Sequence, residues 1–115
     1  MFAGTLPSNA NLSSYLFYWM YPATDVKNKP LVIWLNGGPG ASSIFGNFLE
    51  NGPMRIERVN DTSSGYNVYL DPQGSWVDEA TVIFIDQPVG TGFSFGDTYL
   101  TNMDEASSEF LFFLD

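Results

Sequence analysis

The chain has 115 residues, about the size of one domain, and 44% of them are hydrophobic, which is enough for a real core. The formal net charge is −9, and no basic residue accompanies the ten acidic residues that follow Val59. This balance argues against nucleic acid and anionic membrane surfaces as partners. Cysteine and histidine are absent from these residues, which excludes disulfides, the usual zinc sites and a complete Ser-His-Asp triad; we expect no metal and no cofactor.

The first half of the chain predicts two strands and a helix. Residues 12–21 are rich in aromatic side chains, and the polar stretch after Pro22 is typical of a turn. Residues 31–35 form a short apolar run that favours a strand buried on both faces, and we expect the two strands to pair as a hairpin. Residues 41–49 carry apolar side chains at helical spacing, and Gly52 with Pro53 ends that helix.

The second half predicts a hairpin and another buried strand. Apolar and polar residues alternate over 54–59 and 66–70, and the turn-rich NDTSSG between them indicates a half-exposed hairpin. Residues 80–85 read ATVIFI and predict a buried strand, which stops at Asp86 in a loop rich in proline and glycine.

A final helix is predicted to start near Thr101 or Asn102 and to run to residue 115. Asp104 or Glu105 stands three residues after each candidate start, which fits a capping pattern. The helix carries no glycine or basic residue at its end, so we expect the full sequence to continue. The first residues show no signal peptide, and no apolar run approaches the ~20 residues that span a bilayer.

The stretch LNGGPGASS between the second strand and the first helix is the main candidate site. Gly37, Gly38 and Gly40 lack the Cβ atoms that would keep a ligand from the backbone, and N–H groups at a helix start attract anions. A phosphate site is disfavoured because the stretch matches no phosphate-loop pattern and no lysine follows. An oxyanion hole for acyl transfer fits better. A plain tight turn is the alternative, although it explains three glycines and the polar Asn36 less well.

Three ordered motifs resemble the serine carboxypeptidase family. They are WLNGGPGASS, then FLENGP, then GSWVDEATVIFIDQPVGTGFSF, and the likeness covers nearly the whole chain. The resemblance implies an α/β-hydrolase fold, a mixed sheet with flanking helices that is incomplete here. It implies that residues 1–115 are the N-terminal fragment of one catalytic domain, in an enzyme that removes C-terminal amino acids from peptides at acidic pH.

The resemblance also implies roles for four residues. Gly38 matches the glycine whose N–H contributes to the oxyanion hole. Asn36, Gly37 and Glu50 match residues that bind the terminal carboxylate of the substrate. A carboxylate cannot bind another carboxylate unless one of them is protonated, so we expect Glu50 to donate a hydrogen bond and substrate binding to weaken as pH rises.

The chain lacks the catalytic triad of the family. The nucleophile motif G-E-S-Y-x-G does not occur, and Ser42, Ser43 and Ser94 lie outside any G-x-S-x-G elbow. The triad aspartate and histidine, which follow the serine in this fold, are absent from these residues too. Asp86 precedes any possible nucleophile, and we interpret it as a structural residue of its loop. Residues 1–115 alone are therefore predicted to be inactive.

Two further departures from the family pattern concern single positions. Ala41 stands where many members have a disulfide-bonded cysteine, and Val77 stands where an asparagine is usual. Gln87, Gly90 and Gly92 are expected to shape the floor of the site without taking part in the chemistry.

Two other functions stay open at this point. An acyltransferase with the same acyl-enzyme is one, and a non-catalytic truncated homologue that keeps a carboxylate-binding loop is the other. The expected partner is a peptide or protein with a free C-terminus. The resemblance implies the secretory pathway, ending in a lysosome or vacuole or outside the cell. Asn11 and Asn60 begin glycosylation sequons, but about 1.4 such triplets are expected by chance.

Overall fold

The computed structural model describes residues 1–59 and 65–115. These residues form seven strands, two α-helices and one 3-10 turn. The strands are β1 (Phe2–Pro7), β2 (Ser14–Tyr21), β3 (Leu31–Trp34), β4 (Met54–Arg58), β5 (Tyr66–Leu70), β6 (Thr81–Asp86) and β7 (Phe95–Gly96). The helices are α1 (Ile44–Leu49) and α2 (Met103–Leu114), and the 3-10 turn spans Trp76–Asp78.

A mixed sheet is the centre of the fold. Its described strands follow the order β1-β2-β6-β3, and β7 extends the sheet by pairing with the start of β2. β1 and β6 are both antiparallel to β2, whereas β3 runs parallel to β6. The parallel pair needs a crossover connection, which α1 and the β4–β5 hairpin occupy. The predicted mixed sheet with flanking helices is confirmed.

The predicted hairpin between β2 and β3 is wrong, because β6 lies between the two strands. Tyr21 of β2 and Val32 of β3 flank the same β6 residue, Val82, on its two sides. β6 is buried almost throughout, whereas β3 is half exposed, so placing β6 at the centre removes its apolar side chains from water on both faces.

The predicted burial of β3 on both faces is also wrong for the described part of the chain. Leu31 is 61% exposed and Ile33 is 36% exposed, whereas Val32 and Trp34 point toward the core. β3 ends the order of the described sheet, with β6 as its only neighbour there. The prediction of a buried strand is correct for β6.

Each face of the sheet has its own apolar cluster, and one helix packs near each. Tyr21, Val82 and Phe84 form the centre of the first cluster, and Phe48 of α1 packs against it. Leu16, Ile85 and Val89 form the second cluster, which Phe110 and Phe113 of α2 cover in part. Successive β6 side chains therefore point to opposite faces of the sheet, as expected for a strand.

The remaining predicted elements agree with the structure apart from their ends. β4 and β5 form the predicted antiparallel hairpin. Residues 60–64, on which the predicted turn and the sequon at Asn60 fall, lie outside the described residues. α1 begins at Ile44 rather than at residue 41, and β1 was not predicted. None of the helices in the described residues is long and apolar enough to cross a membrane.

The start of α2 shows the predicted capping. Asn102 accepts a hydrogen bond from the Glu105 backbone N–H at 2.9 Å, and the Glu105 carboxylate accepts one from the Thr101 N–H at 2.9 Å. Two backbone donors that the helix cannot pair are thereby satisfied. The backbone hydrogen bond from Thr101 lowers the pKa of the exposed Glu105 carboxyl below its usual value.

Candidate active site

The candidate site begins at the end of β3, where a short chain of hydrogen bonds fixes one amide group. The indole N–H of Trp34 donates to Asn36 Oδ1 at 2.7 Å, and Asn36 Nδ2 donates to Glu50 Oε1 at 3.2 Å. Since an indole N–H can only donate, the amide oxygen of Asn36 must face Trp34. The NH2 group must then face Glu50, so the orientation of the amide follows from its partners.

α1 carries Glu50 to the site and passes very close to the Trp34–Asn36 pair. A Cβ atom at Gly46 would lie 2.8 Å from Asn36 Oδ1 and would overlap the Trp34 ring nitrogen. Glycine is therefore required at this position for α1 to reach its place. Sequence reasoning missed Trp34 and Gly46, although Trp34 and Asn36 stand two residues apart and so lie on one face of the strand end.

A second contact anchors α1 to the sheet below the site. Asn47 is fully buried, and its Nδ2 donates a hydrogen bond to the Tyr21 hydroxyl at 3.0 Å. Burial raises the pKa of the Tyr21 hydroxyl above its ordinary value, and the bond from Asn47 opposes this only in part. This contact and the packing of Gly46 hold the helix that ends next to Glu50.

The two ends of the glycine loop, residues 36–43, are joined by a hydrogen bond. The Asn36 backbone N–H donates to Ser43 Oγ at 3.0 Å, and the same hydroxyl donates to the Ile85 carbonyl at 2.5 Å. Residues 37–41 lie between these two ends and are exposed. Gly38 has φ +145°, a backbone conformation that residues with a side chain rarely adopt.

The four site residues predicted from the sequence lie in one region. Asn36 and Glu50 are in direct contact, and Gly37 and Gly38 follow Asn36 in the exposed loop. The geometry thus places a side-chain amide, a carboxyl group and bare backbone on the same edge of the sheet. The substrate-binding roles of Asn36, Gly37 and Glu50, and the oxyanion role of Gly38, stay predictions.

Asp86 at the end of β6 links the glycine loop to a second loop, residues 86–94. The residue is 1% exposed, and its carboxyl group accepts hydrogen bonds from Ser42 Oγ at 2.6 Å and from the Ser43 N–H at 2.8 Å. The other carboxyl oxygen accepts from the Phe93 N–H at 3.0 Å. Every one of these partners belongs to a loop, which supports the interpretation of Asp86 as a structural residue.

The described residues include neither a complete set of metal ligands nor a complete catalytic triad of the kind found in hydrolases. Within the described ranges 1–59 and 65–115, no group of three or more acidic side chains is arranged to hold a metal ion. Ser42 donates its hydroxyl hydrogen to Asp86, and the sequence has no histidine to act as a base. The described residues therefore provide the predicted binding residues and the glycine loop, without a nucleophile and base pair.

Comparison with known proteins establishes the family. The sequence model of the serine carboxypeptidase family matches residues 1–115, so the chain belongs to that family. The chain is 42% identical over 118 residues to the pheromone-processing carboxypeptidase kex1 of Aspergillus oryzae, and 38% identical to that of Candida dubliniensis. All of this chain is covered in both cases, against 18% and 16% of the two relatives. The chain therefore spans less than a fifth of their length.

A solved structure confirms the fold. It is that of Kex1(delta)p, a prohormone-processing carboxypeptidase from Saccharomyces cerevisiae, which matches with a TM-score of 0.79 at 32% sequence identity. The match covers 97% of this chain and 26% of that chain. The α/β-hydrolase fold that the sequence motifs implied is thereby confirmed.

Proposed function

We propose that the protein to which this segment belongs is a serine carboxypeptidase that hydrolyses the C-terminal peptide bond of its substrate through an acyl-enzyme. The proposal is supported by membership of the family over residues 1–115 and by the ordered motifs of the two loops. We further propose that residues 1–115 are the N-terminal part of a single α/β-hydrolase catalytic domain.

The hydrogen bond between Asn36 and Glu50 is the observation that supports the proposal most strongly. It places an amide donor and a carboxyl group 3.2 Å apart at the mouth of the glycine loop. A free substrate carboxylate at this point can accept from Asn36 Nδ2 and from the Gly37 backbone. It can also accept from Glu50 when Glu50 carries the proton of the pair. Recognition of this kind selects the C-terminal residue of a peptide.

The glycine loop next to this carboxylate site is suited to stabilise the tetrahedral intermediate. A serine outside residues 1–115 attacks the scissile carbonyl carbon, and its proton passes to a histidine and then to the departing amine. The C–N bond breaks, the C-terminal amino acid leaves, and water then hydrolyses the acyl-enzyme. The Gly38 N–H is proposed to stabilise the oxyanion that forms in both steps, an interaction worth about 10²- to 10³-fold in kcat for one donor.

An apolar depression beside the site suits the side chain of the residue to be released. Phe45 and Leu49 on α1 and Ile56 on β4 line it, and all three side chains are exposed. Leu49 directly precedes Glu50, so the depression and the carboxylate-binding groups adjoin each other. We propose that substrates with an apolar C-terminal residue bind better here than those with an acidic one.

The expected substrate is a peptide or protein with a free C-terminus, and the expected location is the secretory pathway. This proposal is supported by the names of two relatives, which describe a pheromone-processing and a prohormone-processing carboxypeptidase. For this protein we propose a lysosomal, vacuolar or extracellular destination.

The proposal is tested by assaying the full-length gene product on an N-blocked dipeptide and on the same dipeptide with a C-terminal amide. We expect release of the terminal amino acid from the free acid, at a rate at least about 10-fold above the amide, and loss of activity with a serine-directed organophosphate. Transfer of the acyl group to an added alcohol in preference to water would favour the acyltransferase. A folded full-length protein without either activity would favour the non-catalytic homologue.

A further inference from the structure

The Asp86 carboxyl group holds together the two loops that border the candidate site. Oδ1 accepts from Ser42 Oγ at 2.6 Å and from the Ser43 N–H at 2.8 Å, both at the end of the glycine loop. Oδ2 accepts from the Phe93 N–H at 3.0 Å in the second loop. With only 1% of the residue exposed, water cannot substitute for these partners, so each bond must be made within the protein.

The glycine loop is fixed mainly where it starts and ends. Its start is held by the bond from the Asn36 N–H to Ser43 Oγ, and its end by the bonds of Ser42 and Ser43 to Asp86. Gly38 lies in the exposed span between these points. The position of the Gly38 N–H therefore depends on where Ser42 and Ser43 are held. Asp86 binds both of these residues, and the Ile85 carbonyl also accepts from Ser43 Oγ.

The packing around Asp86 leaves it no room to move. Gly92 has φ +54°, and a Cβ atom there would overlap Asp86 Oδ2 and lie 2.8 Å from Ser42 Oγ. An asparagine at position 86 has the same shape as aspartate, but it must direct an NH2 group at one of the N–H donors that now bind the carboxyl group. One loop or the other must then shift.

We propose that Asp86 is a positioning residue for the reaction: it holds the glycine loop in the conformation that presents the Gly38 N–H to the oxyanion. This inference rests on the proposed carboxypeptidase function. It distinguishes two parts of the site, because the Asn36 side chain is oriented by Trp34 and by the packing of Gly46, contacts in which Asp86 takes no part. Only the backbone of Asn36 is linked to Asp86, through Ser43. Loss of the Asp86 contacts should therefore impair the chemical step more than the recognition of the terminal carboxylate.

The test compares Asp86→Asn with wild type in the full-length enzyme, with the number of working active sites counted by an irreversible serine reagent. Displacement of reacting groups by about 1 Å can cost ~10²-fold in rate. We expect kcat per titrated site to fall about 10- to 100-fold, while KM for a free-acid peptide changes less than about 3-fold. Glu79→Gln, which removes an exposed partner of Lys29, is the matched control and should leave both constants unchanged.

Ser42→Ala is the second variant, because it deletes one donor to Asp86 and keeps the Ser43 and Phe93 contacts. We expect a smaller loss, of about 3- to 10-fold in kcat per titrated site. This variant decides the question if Asp86→Asn does not fold.

Three outcomes are distinguishable. Fewer titratable sites with an unchanged kcat per site would show that Asp86 only stabilises the fold, and would overturn the inference while the proposed function stands. A rise in KM with kcat unchanged would overturn it too. An inactive, folded wild type would overturn the proposed function and this inference with it.

Discussion

Asn36 donates a hydrogen bond to Glu50 across 3.2 Å, although the two residues are fourteen positions apart and follow different elements. Asn36 is the second residue after the end of β3, and Glu50 is the C-cap of α1. The close approach of α1 to β3 at Gly46 is what brings them together. The recognition half of the candidate site is thus produced by the packing of one helix on one strand.

Glu50→Gln should make substrate binding less dependent on pH. In the wild type, a substrate carboxylate and Glu50 repel each other when both are ionised, so KM for a free-acid peptide should rise with pH, by about 10-fold more than KM for the peptide amide. A glutamine at position 50 is neutral and can donate a hydrogen bond to the substrate, so its KM should rise less than about 3-fold. Steady-state kinetics of both full-length enzymes over the pH range in which they stay folded measure the two slopes. Equal slopes in the two enzymes would contradict the proposed role of Glu50.

Gly46→Ala should weaken both the fold and the site. The added methyl group must displace the Trp34 ring or the Asn36 side chain, and overpacking of this kind costs about 1–3 kcal/mol of unfolding free energy. We also expect KM for free-acid peptides to rise about 5-fold or more, since Asn36 loses its orientation.

Gly4→Ala in β1 is the matched control for Gly46→Ala, because a Cβ there meets the Tyr18 ring at ordinary contact distances of 3.7 Å and above. Denaturant unfolding of the three proteins gives the comparison. A Gly46→Ala variant as stable and as active as Gly4→Ala would show that α1 does not need its close approach.

Glu105→Gln should reduce the acid sensitivity of the start of α2. The folded-state pKa of Glu105 is lowered below its ordinary value, chiefly by the backbone hydrogen bond from Thr101. A lowered pKa means that the contribution is fully present above the ordinary carboxyl pKa and is lost as pH falls through the folded value. Hydrogen exchange of the first-turn amides, corrected for intrinsic rates, should accelerate on acidification in the wild type and much less in the variant. The same acceleration in both would contradict this.

The elements with a regular pattern were predictable from the sequence, whereas their neighbours in the sheet were not. β6 and α2 follow from an apolar run and from a capping pattern, both of which are local. β1 was not predicted because FAGTLP contains a glycine and a proline, residues that are uncommon in strands. This segment forms a strand by pairing with β2. The β2–β3 hairpin was predicted wrongly because chain proximity favours it, and the apolar β6 takes the place between them only after distant parts of the chain meet.

The candidate site shows the same division. Asn36, Gly37, Gly38 and Glu50 were predicted as site residues because they stand in motifs, and the contact between Asn36 and Glu50 agrees with that grouping. The supporting contacts could not be inferred from local pattern. Asp86 reaches Ser42 across 44 positions, and only the folded sheet brings β6 next to the glycine loop.

Residues 1–115 alone should show no carboxypeptidase activity, because they contain no histidine and no serine in a nucleophile elbow. The Ser42 hydroxyl bonded to Asp86 does not replace a nucleophile and its base. The purified segment is assayed on an N-blocked dipeptide beside a mock purification. Turnover above the mock level that follows the protein through a second column would contradict the prediction.

The central claim, that Asn36 recognises a free C-terminal carboxylate, is tested most directly by kcat/KM of wild type and Asn36→Ala on a peptide acid and on its amide. The amide substrate lacks the charge that the proposed site binds, so it reports every other effect of the substitution. We predict that kcat/KM for the acid falls at least about 10-fold more than that for the amide, the value of one hydrogen bond to a charged group. An equal loss on both substrates would contradict the claim.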